Sequence, residues 1–195
     1  MKQLFNYISK RIALSKEAKE FTKSVCRVRN YTKGSTLILE NQSVTKTYFV
    51  VEGCLRSFVF DNKGKEHTLQ FALKDNWISD YIAIFNNAKA SQVVECVTDS
   101  IVIESSIEDG LENIFSRFSE LESLNRKNLQ RHIVSLQTRI LNQLQLSSLE
   151  RYILFLKQYP NIEKYALNYH IASYLGITQQ SLSRLRSEKI KKLRK

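Results

Sequence analysis

Gln179, Gln180, Ser183 and Arg184 lie close together near the carboxyl end of this 195-residue chain, and their side chains suit one kind of chemistry. Arginine donates two parallel hydrogen bonds to O6 and N7 of guanine, glutamine pairs both ways with N6 and N7 of adenine, and serine reaches bases or phosphates. Thr178, Ser181, Arg186, Lys189, Lys191 and Lys192 surround the four with groups suited to phosphate oxygens. The set reads as the working face of a helix laid in the major groove of duplex DNA.

Positioning such a face takes a helix-turn-helix, and residues 168–186 (NYHIASYLGITQQSLSRLR) carry its packing pattern. Ile171, Leu175, Ile177, Leu182 and Leu185 supply apolar contacts, and Ala172 is small where a second helix crosses. Gly176 tolerates the positive φ that a sharp inter-helix turn requires, and Thr178 is a natural N-cap for the second helix. His170 is expected to cap or pack within the helix pair. A plain pair of antiparallel helices with a solvated polar face is the competing reading, and the placement of charge counts against it.

The chain carries 30 Lys and Arg against 19 Asp and Glu, a net charge of +11, unevenly spread. Residues 1–110 hold 15 basic and 13 acidic side chains, whereas 111–195 hold 15 and 6. From Arg184 onward seven basic residues face only Glu188. A cationic patch beside the reading helix attracts phosphates and makes binding strongly salt dependent.

Upstream, residues 2–24 predict one or two helices, with Leu4, Phe5, Ile8 and Ile12 as the stripe and Ser15 as a cap. Short β-branched and aromatic runs follow, with strands predicted over 36–40, 47–52, 54–60, 67–73, 93–98 and 100–104, so that His67 lies beside a strand. Many short antiparallel strands joined by tight turns imply a small barrel or roll. After Gly110 the periodicity becomes helical: Leu111, Ile114, Phe118 and Leu121 recur, then Leu129, Ile133, Leu136, Ile140 and Leu144. That stripe predicts one long amphipathic helix or two in sequence. Leu129, Ile133, Leu136 and Ile140 are its candidate dimer contacts. Ser147 and Ser148 offer an N-cap for a further helix that stops before Pro160. The expected fold class is α+β with two hydrophobic cores, divided as a roll over 1–110, a long helix over 111–145 and a DNA-binding unit over 146–195.

Other function classes lack their residues. His67, His132 and His170 fall in separate segments, the five glycines do not cluster, and no nucleophile elbow, zinc-protease or Walker motif occurs. An enzyme is therefore not expected, nor a metal or other cofactor. Cys26, Cys54 and Cys96 fit no disulfide framework or metal spacing and read as buried thiols. With no transmembrane-length apolar run and no signal-peptide pattern at the start, the chain is expected in the cytoplasm and away from membranes.

In order, roll, long helix and helix-turn-helix resemble the Crp/Fnr family of bacterial transcription regulators over nearly the whole chain. The matching residues in the roll are Tyr31, Lys33 and Gly34, residues 48–56 (YFVVEGCLR) and residues 62–66 (NKGKE). The C-terminal match is sharper, in 171–178 (IASYLGIT) followed by Leu182, Ser183 and Arg184. The resemblance implies a roll of the cupin or cyclic-nucleotide-binding type, a homodimer on two-fold-related duplex DNA, and RNA polymerase as a further partner. It also places the family's base-contacting positions on Gln179, Gln180, Ser183 and Arg184.

Two departures accompany the likeness. Members that bind cyclic AMP hold its phosphate with an Arg-Ser pair and its ribose with a Gly-Glu pair, where this chain reads 89–92 (KASQ) and 77–80 (WISD). Trp77, Asp80, Tyr81, Lys89 and Ser91 are left as the candidate lining of a ligand pocket, and cyclic AMP is not the expected effector. The iron–sulfur members' cysteine cluster has no counterpart. The family's DNA domain usually ends in a wing, and about nine residues follow Arg186, so a truncated wing is expected, with the basic tail taking over its phosphate contacts. The alternative function is a sensor of a small ligand or cyclic nucleotide whose C-terminal helices engage a protein partner.

Overall fold

The structure, a computed structural model, describes residues 1–193, and of residues 189–193 the backbone only. Two helices open the chain. Helix α1 (Lys2–Ser9) buries Leu4, Tyr7 and Ile8, and α2 (Lys16–Val25) begins where the Ser15 side chain accepts the Ala18 N–H. Ser15 also donates to Glu120 Oε1 at 2.6 Å, tying this corner to the later helices.

Eight strands follow: β1 (Cys26–Tyr31), β2 (Thr36–Ile38), β3 (Lys46–Glu52), β4 (Leu55–Phe60), β5 (Glu66–Ala72), β6 (Trp77–Ile78), β7 (Val93–Cys96) and β8 (Ser100–Ser106). They form two four-stranded antiparallel sheets, in the orders β1-β8-β3-β6 and β2-β7-β4-β5. Ile38, Tyr48, Val50, Leu55, Ala72, Ile78, Val94 and Val102 fill the space between them. At the turn into β4, Gly53 has φ +94°, and a side chain there would collide with the carbonyl of Asp99. The expected strands are all present within a residue or two at most ends. Strands β1 and β6 were not expected: five of the six β1 residues are exposed or half-buried, with arginines at 27 and 29, so β1 lacks the alternation that marks a strand. It pairs with β8 from Cys26 opposite Ser105 to Tyr31 opposite Ser100.

A short α3 (Tyr81–Phe85) connects β6 to β7. Beyond the roll the long helical stripe divides at Phe118 into α4 (Leu111–Arg117) and α5 (Ser119–Gln145), with the Phe118 ring stacked on Phe21 at 4.8 Å. Helix α6 (Ser148–Gln158) starts from a capping box in which Ser147 and Glu150 satisfy each other's backbone N–H groups. A 3-10 turn (Ile162–Lys164), α7 (Asn168–Leu175) and α8 (Gln179–Leu193) complete the described chain. Among the described residues no strand follows β8.

Among the described residues three apolar clusters hold the fold. One lies inside the roll; a second joins α1 to Phe49, Ile103 and Leu124. The third crosses the expected boundary between roll and C-terminal unit, setting Cys54, Phe71 and Val97 against Tyr152, Phe155, Tyr159, Tyr174 and Leu182. Rings of Phe71, Phe155, Tyr159 and Tyr174 contact one another at 5.2–5.9 Å, so the roll and the helices share one aromatic core. All three cysteines are free and buried, and burial pushes the Cys54 thiol up to about 12, leaving it protonated and inert.

Candidate nucleic-acid interface

The turn between α7 and α8 is built as its residues require. Gly176 takes φ +68°, and its N–H reaches the carbonyls of Ala172 and Ser173 while that of Ile177 returns to Ala172 at 3.0 Å. Thr178 Oγ1 then accepts the Ser181 N–H at 3.1 Å and caps α8. Ile171 and Leu182 are fully buried, and Ile177 and Leu185 pack beside them.

With those residues turned inward, Gln179 and Ser183 form one exposed ridge and Gln180 and Arg184 form its neighbour. Among the described residues none of these four side chains has a hydrogen-bond or ion-pair partner. Four donor-rich side chains are thus free on one solvent-facing surface of a helix near its N-terminus. That arrangement can address base edges directly.

The expected phosphate contacts fare differently. Thr178 and Ser181 hydroxyls stand 3.0 Å apart beside the helix start, where backbone N–H groups also favour anions. Arg186 is engaged within the protein: Nε donates to Glu163 Oε1 at 2.6 Å and Nη1 to Asn168 Oδ1 at 2.7 Å, while Tyr152 donates to the same Glu163 oxygen at 2.7 Å. It therefore braces α8 against α6, the 3-10 turn and α7. The side chains of Lys189, Lys191 and Lys192 lie outside the described residues.

His170 is buried on α7, 4% exposed, with neither ring nitrogen hydrogen bonded. Burial, reinforced by Arg56 and Lys33, lowers its pKa to about 3 and keeps it neutral. Arg56, itself 1% exposed, donates from Nε to Glu95 at 2.6 Å and from its other end to Glu66, so the charge buried beneath α7 is doubly compensated.

The five residues expected to line one ligand pocket are not gathered into one. Asp80 is fully buried and turned onto its own chain: Oδ1 accepts Ala83 N at the start of α3, and Oδ2 accepts Ser91 N at 2.6 Å and Ser91 Oγ at 2.9 Å. A resident carboxylate thereby takes up the donors that an anionic ligand would need there. Lys89 is exposed and donates to Ser43 Oγ at 2.9 Å. Trp77 and Tyr81 line a separate cavity between the roll and α5.

On α5 the outward stripe lies open. Ile133, Leu136 and Ile140 are 52%, 41% and 57% exposed, Leu144 is 78% exposed, and Leu129 is half-buried. Residues that proximity in sequence could not reveal are Ser173 and Arg139, which join α7 and α5 to the free edge of β5. The only advance sign of Ser173 was a hydroxyl between two apolar neighbours on α7.

Residues 28–117 match the family model for the cyclic nucleotide-binding domain. No curated protein sequence matches the chain. Among solved structures, FixK2 from Bradyrhizobium japonicum superposes with a TM-score of 0.74 at 18% identity, over 86% of this chain and 86% of that one. A regulator of the Crp/Fnr family from Eubacterium rectale gives 0.72 at 17% identity, over 91% and 85%. A CooA variant from Carboxydothermus hydrogenoformans gives 0.63 at 22% identity, over 91% and 79%.

Proposed function

We propose that this chain, which carries a cyclic nucleotide-binding domain and the overall fold of the Crp/Fnr transcription regulators, reads duplex DNA through α8 as a homodimer and does so without cyclic AMP. The observation that carries the reading is the free, solvent-facing set of Gln179, Gln180, Ser183 and Arg184. Among the described residues nothing consumes their donors, whereas the neighbouring Arg186 is bound internally. Net charge supports it, since the basic excess belongs to residues 111–195.

Dimerisation through α5 is favoured by the apolar stripe that the chain's own roll leaves uncovered. Leu129, Ile133, Leu136 and Ile140 alternate in steps of four and three, the spacing of a two-helix seam. Two reading helices related by a two-fold axis would then meet half-sites about ten base pairs apart. In this reading residues 1–110 form the sensor-like part, 111–145 the dimer helices and 146–195 the DNA-binding part. RNA polymerase is its further partner, the cytoplasm its location, and catalysis is no part of its role.

The exclusion of cyclic AMP rests on Asp80. A cyclic phosphate entering beside Ser91 would face a buried carboxylate already holding both Ser91 donors, with no arginine in residues 77–92 to offset the repulsion.

Selection of random duplexes on the purified protein tests the reading, because it reports sequence, symmetry and spacing together. A palindromic consensus whose binding weakens steeply with salt is expected. Equal retention of all duplexes at every salt concentration would reject it in favour of a protein-binding role for the C-terminal helices.

A further inference from the structure

Arg11, Lys127 and Arg131 meet where the loop after α1 crosses α5, and among the described residues no carboxylate lies within 4.0 Å of any of them. Lys127 Nζ donates to the Arg11 carbonyl at 2.7 Å. The Arg11 guanidinium lies 3.5 Å from the centroid of the Tyr7 ring and that of Arg131 lies 5.8 Å from the same centroid. Two cations thus share one ring without a counter-charge. Like charges held together by the fold raise the local potential and favour an anion between them.

Arg11 and Arg131, but not Lys127, border a cavity of 410 Å3, whose other walls come from Trp77 and Tyr81 of the roll, Arg139 of α5, and Tyr174 of α7. Arg11 Nε and Trp77 Nε1 are both buried and have no hydrogen-bond acceptor, which is costly for donors out of water. Among the described residues Asp75 is the one acidic residue of the lining, and it accepts from Gln3 at 2.8 Å. The cavity is not the interior of the roll, since none of the apolar residues that fill the roll lines it. It also lies off the α5 seam, from which only Leu136 reaches it. Its volume falls in the range of small-molecule sites, roughly 300–1,000 Å3.

We infer that this cavity binds a small organic anion, with its carboxylate or phosphate between Arg11 and Arg131 and its flat body against Trp77 and Tyr81. Arg11 Nη1 donates to the Tyr7 carbonyl at 2.7 Å, and Arg131 uses Nε on the Lys127 carbonyl and Nη2 on Tyr7 Oη and Asn128 Oδ1. Among the described residues Nε and Nη2 of Arg11 and Nη1 of Arg131 therefore remain to donate to either headgroup, while the aromatic walls suit a planar body. Because roll, α5 and α7 all contribute to the walls, the ligand would touch the sensor-like part and the reading unit at once.

Trp77 is the chain's single tryptophan, so its fluorescence reports occupancy independently of any DNA binding. The full chain is titrated with benzoate, phenyl phosphate and inorganic phosphate. One aryl anion is expected to give a saturable change with a dissociation constant below about 1 mM, and inorganic phosphate to bind at least ~10-fold more weakly. Benzoate against phenyl phosphate identifies the headgroup. Arg131→Gln should weaken the preferred anion by ~10-fold or more, and Arg11→Lys, which keeps charge and fold but loses the fork, by ~3-fold or more. No saturable change with any of the three up to about 10 mM, or equal affinity in wild type and Arg11→Lys, overturns the inference.

Discussion

Ser173 Oγ of α7 accepts the Thr68 backbone N–H of β5 at 2.8 Å and donates to the Glu66 carbonyl at 3.0 Å, so one hydroxyl closes the free edge of a sheet with a helix of the C-terminal pair. Arg139 of α5 extends the closure, donating to the carbonyls of Leu69 at 2.6 Å and Tyr174 at 2.9 Å. The orientation of α7 on the roll is thereby set by backbone groups that an exposed edge strand would otherwise leave open. Ser173→Ala strands both partners and should cost about 1–3 kcal/mol in denaturant unfolding. It should also speed hydrogen exchange at Thr68, and unchanged exchange there would disprove the contact.

Arg184 and Arg186 should behave in opposite ways. Arg184→Ala removes a solvent-facing fork and, in the proposed role, is expected to cost about 1–3 kcal/mol in DNA affinity, relaxing base preference at one position, with little change in stability. Arg186→Ala removes the brace to Glu163 and Asn168. Its partly exposed ion pair should cost stability by about 1 kcal/mol and weaken all duplexes alike. Binding selections paired with thermal melts separate the two.

Ile140→Glu places a charge in the open stripe of α5. The monomer should fold normally, since Ile140 is 57% exposed, while sedimentation should show dissociation. An unchanged mass across dilution would remove α5 from the interface.

Asp80→Ala leaves the N–H groups of Ala83 and Ser91 unpaired in a buried corner. A loss of about 2–4 kcal/mol is expected from the stranded donors, read as a lowered melting temperature. Calorimetry of the wild-type chain with cyclic AMP should register no binding. A micromolar interaction would show that Asp80 yields to the phosphate.

His170 makes stability depend on pH. Its pKa is lowered to about 3 in the fold, below the ordinary histidine value of about 6.5, so the unfolded chain binds the extra proton between these limits. Its contribution is fully present above about pH 6.5 and is lost progressively as pH falls toward 3. Between pH 7 and pH 4.5 the melting temperature of wild type should fall more steeply than that of His170→Gln. Parallel curves would place the histidine in water.

Much of this was legible along the chain. Gly176, Thr178 and the Ile171 to Leu185 set announce the helix pair because turn geometry and apolar periodicity are local properties, carried within a few residues. The capping box at Ser147 and Glu150 and most strands were readable for the same reason. Strand β1 was not, since it is held by pairing with β8 some seventy residues away rather than by its own pattern. Charge does not say what it will meet: Arg184 and Arg186 are two residues apart and chemically identical, and only the approach of Glu163 and Asn168 makes one a brace and leaves the other free. Asp80 and Trp77 looked like neighbours in one pocket, yet the turn into α3 sends the carboxylate inward to Ser91 and leaves the indole at the wall of another cavity. Local patterns choose elements and their exposed faces, because those depend on short-range sterics and burial. Which polar groups are consumed and which remain available is decided by long-range packing, which brings their partners from distant parts of the chain.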